Sequence, residues 1–89
     1  MVIVLIQHQV KSFSACKTVF DSAIDLRKRN GELSATVYRS ESDPNNVTVF
    51  NKWDSLANAQ KFVQSPDLKT AMEKSGVVGH PTISFLKEA

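Results

Sequence analysis

The chain has 89 residues, the length of one domain, because two independent cores do not fit in so short a sequence. With 42% apolar residues, three Gly and three Pro, it has the composition of a globular protein, not of a disordered or collagen-like one. Eleven Lys and Arg against nine Asp and Glu leave a charge of +2, too small and too dispersed for a surface that tracks nucleic acid, and the one cysteine, Cys16, excludes an internal disulfide.

Residues 2–10, VIVLIQHQV, are β-branched and too few for a typical helix, so they read as a strand. No basic n-region accompanies its apolar half and Gln7, His8 and Gln9 follow at once, so the expectation is a strand and not a signal peptide. No apolar run approaches the ~18–20 residues that span a bilayer, so the expectation is a cytoplasmic protein without a membrane partner. Val2, Val4 and Ile6 share one side of this strand and Ile3 and Leu5 the other, the pattern of a central strand covered on both faces.

Apolar residues from Phe13 to Leu26 recur at steps of three and four, predicting one helix over Phe13 to Arg29 with Ser12 as N-cap and Gly31 as its stop. Arg27, Lys28 and Arg29 fall in the last turn, where cations suit the helix dipole and solvent. Leu33 to Ser40 and Val47 to Trp53 form a hairpin around the turn-forming Glu-Ser-Asp-Pro-Asn-Asn. Asp54 or Ser55 caps a second helix that Pro66 interrupts, and Ser65 caps a continuation running to Gly76. Thr82 to Lys87 is the last strand.

This order is the ferredoxin-like βαββαβ plan of the α+β class: residues 1–89 as one domain, a four-stranded antiparallel sheet, and two helices on one face. Right-handed crossovers put the first and third strands in the centre. The uncovered sheet face is apolar, which predicts a homodimer joined through that face.

The stretch Phe50-Asn51-Lys52-Trp53-Asp54-Ser55-Leu56-Ala57-Asn58-Ala59, with Phe62, Ser65-Pro66-Asp67-Leu68 and Gly76 to Pro81, resembles the antibiotic biosynthesis monooxygenase family. Its strongest mark is the Trp just before a capped helix in Trp-Asp-Ser-Leu. The resemblance implies a dimeric α+β barrel. That family mixes cofactor-independent monooxygenases of phenolic or quinol-like compounds, haem-degrading members, isomerases and members of unknown function. The implied function is monooxygenation of a small aromatic substrate with no cofactor, since an electron-rich phenolate reduces dioxygen itself. The alternative is a non-catalytic small-molecule-binding or accessory barrel. Haem degradation fits poorly, because the first strand offers Gln7 or Gln9 in place of Asn and the second helix has no His.

His8, on the face of Val2, Val4 and Ile6, is the candidate base for a phenol; its plainer role is a hydrogen-bonded structural histidine. Asn51 and Trp53 lie two apart on the third strand, an amide beside an aromatic plane for a flat ligand, or else a sheet-edge amide and a core indole bonded to backbone. Tyr38 and Arg39 are candidates for a proton donor and an anion contact, Phe62 for the wall of a cavity between helices and sheet, and His80 for a ligand contact from the loop before Pro81. A Gly-rich nucleotide loop, an HExxH motif and ligands at metal spacing are all absent from the sequence.

Overall fold

The computed structural model describes residues 2–89. Its elements are β1 Val2–Val10, α1 Phe13–Ser22, α2 Ile24–Arg29, β2 Glu32–Arg39, β3 Asn46–Trp53, α3 Leu56–Val63, α4 Pro66–Lys74 and β4 Val77–Lys87. The strands form one antiparallel sheet in the order β2-β3-β1-β4, the ferredoxin-like α+β topology with the first and third strands central.

The serine caps form as their positions predict. Ser12, Ser55 and Ser65 each accept a hydrogen bond from the backbone N–H three residues on, and Pro66 occupies the first turn of α4. Gly31 closes α2 at a φ of +111°, a conformation that L side chains rarely adopt, so the backbone favours glycine there.

Two expectations need correction. The first helix is not continuous from Phe13 to Arg29 but breaks at Ala23. Hydroxyls of Thr18 and Ser22 donate back to the carbonyls of Ser14 and Val19, competing with helical bonding just before the break. The last strand starts at Val77, not Thr82, because Val77 and Val78 pair with Val10 and Gln9. A bulge follows in which Gly79, His80 and Pro81 stand opposite His8, and Gly79 makes it with a φ of +71°.

Register decides which side chains meet the helices. Val4, Ile6, Val47, Val49, Asn51 and Trp53 share the covered face, packed against Cys16, Ala59 and Phe62. The other face carries Ile3, Leu5, Phe50 and Leu86, with Tyr38 edge-on to Phe50 at 5.7 Å. A second bulge, at Leu33, changes parity on β2: Ser34 pairs with Lys52 on the outer face, yet Glu32 pairs with Trp53 and turns inward. Among the described residues no helix is long and apolar enough to cross a membrane.

Candidate functional site

Between the helices and the covered face lies an apolar cavity of about 80 Å³, whose lining includes Ile6, His8, Phe20, Val49, Asn51 and Phe62. It is smaller than the ~150 Å³ apolar cavity that takes up benzene, so a larger guest needs the covering helices to part.

His8 reaches it from β1, half-buried. Its Nε2 lies 3.9 Å from Sγ of Cys16, and its Nδ1 is buried without a partner. Desolvation lowers the His8 pKa from its ordinary 6.5, which keeps the ring neutral at neutral pH. Burial raises the Cys16 pKa, with a hydrogen bond to Ser75 opposing it, so the pair is thiol and imidazole and not thiolate and imidazolium.

At the other end stands a buried polar cluster that charge patterning did not reveal. Arg27, expected in solvent at the end of its helix, is only 4% exposed. Its Nε lies within 3.0 Å of both carboxylate oxygens of Glu32, another N–H group donates to the carbonyl of Phe20, and the guanidinium stacks 3.7 Å from the Phe20 ring centre. Asn51 Nδ2 donates to Glu32 at 2.6 Å, while its Oδ1 has no partner. Lys28 and Arg29 are exposed as expected. The signal for this cluster was Glu32 five residues after Arg27, but without the Leu33 bulge alternation points Glu32 outward.

Trp53 is 1% exposed and stacks on Phe62 with ring centres 4.9 Å apart, so it backs a wall of the cavity without lining it. Its indole N–H has no partner among the described residues, where a backbone acceptor was expected. Arg39 stacks 3.9 Å over the ring of Phe13, a cavity residue, and donates to the carbonyl of Pro44. Tyr38 points to the outer face, and His80 is exposed in the β4 bulge, not in a loop. The cavity therefore gathers His8, Asn51 and Phe62, with Trp53 behind and Arg39 at its margin, and leaves Tyr38 and His80 apart. Among the described residues no three His, Cys, Asp or Glu side chains cluster to hold a metal.

The family model described as antibiotic biosynthesis monooxygenase matches residues 1–74. The chain belongs to that family. A protein assigned as an antibiotic biosynthesis monooxygenase from Bordetella bronchiseptica superimposes with a TM-score of 0.84 at 17% identity, covering 99% of this chain and 96% of that one. SnoaB, a cofactor-independent oxygenase from Streptomyces nogalater, does so with a TM-score of 0.80 at 12% identity, covering 99% and 92%. A conserved protein from Methanosarcina mazei matches with a TM-score of 0.78 at 16% identity, again over 99% and 92%. At such identities these structures establish the fold alone. No curated protein matches the chain.

Proposed function

We propose that the protein is a homodimeric, cofactor-independent monooxygenase whose cavity holds a small phenolic or quinol-like aromatic. The observation that carries this reading is the pair of buried, unpartnered polar atoms, His8 Nδ1 and Asn51 Oδ1, on residues lining an otherwise apolar cavity. His8 lies opposite Val47 and Asn51 four residues further along β3, which separates their backbones by roughly 13 Å. A flat guest with a polar group at each end suits that spacing.

The chemistry follows from the groups present. With Nε2–H turned to the Cys16 sulfur, Nδ1 of neutral His8 carries the lone pair and takes the proton of a phenol or enol. The resulting anion passes an electron to dioxygen, the two radicals couple at a ring carbon that bears hydrogen, and the peroxide takes back the proton held by His8. The O–O bond then breaks as that carbon loses its hydrogen as a proton, leaving C=O on the ring and the second oxygen atom in water. Apolar walls keep solvent from the reduced oxygen. Family membership and the fold shared with SnoaB support this reading over a binding or accessory barrel.

Oxygen uptake by metal-free and flavin-free protein on hydroquinones, anthrones and polyphenols tests it. The expected result is uptake that requires folded protein and falls at least 100-fold in His8→Phe. No uptake across the panel, with guests still bound, would favour the binding barrel.

A further inference from the structure

The geometry points to Glu32, held by Arg27, as the positioning residue that fixes the polarity of the cavity at Asn51, so that the site selects a ligand presenting a hydrogen-bond donor there. The inference rests on the cavity being the ligand site, but it concerns which chemical group that site accepts.

An asparagine amide presents a donor on one arm and an acceptor on the other, and its neighbours choose between them. Here the neighbour is a carboxylate paired with a guanidinium, which can only accept. Nδ2 must therefore face Glu32, as its 2.6 Å hydrogen bond requires. Asn51 is 3% exposed and lines the cavity, while Glu32 lies behind it, outside the lining. Oδ1, the arm not held by Glu32, has no partner. A buried acceptor of this kind welcomes an O–H or N–H and penalises a carbonyl or ether oxygen, because two facing acceptors lose water without gaining a bond. Hydroxylated or N–H aromatics are thus recognised over their O-alkylated or quinone counterparts.

Arg27 completes the device. Its Nε touches both carboxylate oxygens, and its contacts with the Phe20 carbonyl and ring keep it in place. By fixing both oxygens of the carboxylate, Arg27 also fixes which arm of the Asn51 amide bonds to it.

Indole and benzofuran test this, being nearly equal in shape but with an N–H in one where the other has an ether oxygen. Dissociation constants come from amide-shift titrations of native protein and of Glu32→Gln. Native protein is expected to prefer indole by about tenfold. In Glu32→Gln the new amide donates to Asn51 Oδ1, the Asn51 NH₂ faces the cavity, and the preference vanishes or inverts. A merely structural Glu32 would instead weaken both ligands together. Arg27→Met/Glu32→Gln removes both buried charges and is expected to lose the preference likewise, which keeps the test available if the single variant does not fold. Equal binding of both probes by native protein, or an indole preference that survives in the folded variants, would overturn the inference while leaving the cavity as a ligand site. Failure of both probes to bind native protein would overturn the ligand-site reading and this inference with it.

Discussion

Trp53 and His8 illustrate two ways a side chain can serve a cavity. Trp53 is enclosed by the core and stacked on Phe62, so its first contribution is packing. Trp53→Ala is expected to cost about 3–5 kcal/mol in urea denaturation. A cost below about 1 kcal/mol would contradict its place in the core. His8 instead titrates. Because burial makes the folded imidazole harder to protonate, the unfolded chain binds more protons as pH falls through 6.5. Stability conferred by neutral His8 is therefore complete above pH 6.5 and declines as pH falls from there through the lower, folded pKa. The reaction should show the same group: kcat/KM is expected to fall on acidification with a midpoint below 6.5, and His8→Phe should lose that limb of the profile.

How these residues were legible depended on backbone parity. His8, Asn51 and Trp53 fall on stretches of β1 and β3 that pair with each other without a bulge, so alternation groups each with its correct neighbours, but with apolar residues on both faces of β1 it did not tell which face the helices cover. Glu32 does not fall on such a stretch, because the bulge at Leu33 reverses parity, and a single inserted residue of that kind has no compositional mark in Gly-Glu-Leu-Ser. Arg27 was obscured for a related reason: a cation in a last helical turn suits the dipole, and nothing nearby in sequence other than the misassigned Glu32 argued for its burial.

Among the elements, α4 is the least firmly held. Leu68, Ala71 and Met72 line the cavity, but no α4 residue is fully buried, and Gly76 follows at a φ of +74°. By contrast, α3 anchors itself with buried Ala59 and Phe62. A guest larger than the 80 Å³ cavity is most easily admitted by displacement of α4. Amide hydrogen exchange is expected to be faster in α4 than in α3 and to slow in α4 when an aromatic guest binds. Equal protection of the two helices would place the give elsewhere. The segmentation of this region was readable from Ser65-Pro66, whereas the break at Ala23 was not, since it arises from hydroxyl bonding within an otherwise regular apolar stripe.

For the whole molecule, the covered face and the outer face differ in what satisfies them. The helices bury Val4, Val47 and Trp53 almost completely, while Phe50 and Leu86 remain 37% and 41% exposed on the outer face beside Ile3 and Leu5. A second copy seated on that face would bury this patch and bring Tyr38 into the interface. Sedimentation at micromolar concentration is expected to give a dimer for native protein and a monomer for Phe50→Asp. A native monomer would remove the barrel.

Where an aromatic guest sits can be read from an amide-shift titration with 1,4-naphthohydroquinone under anaerobic conditions. Binding between helices and sheet requires the largest shifts at Ile6, His8, Val49 and Asn51, including the Asn51 side-chain amide, and at Leu68 and Met72 of α4. Shifts centred on Leu5, Phe50 and Leu86 would put the guest on the outer face and contradict the site proposed for the chemistry.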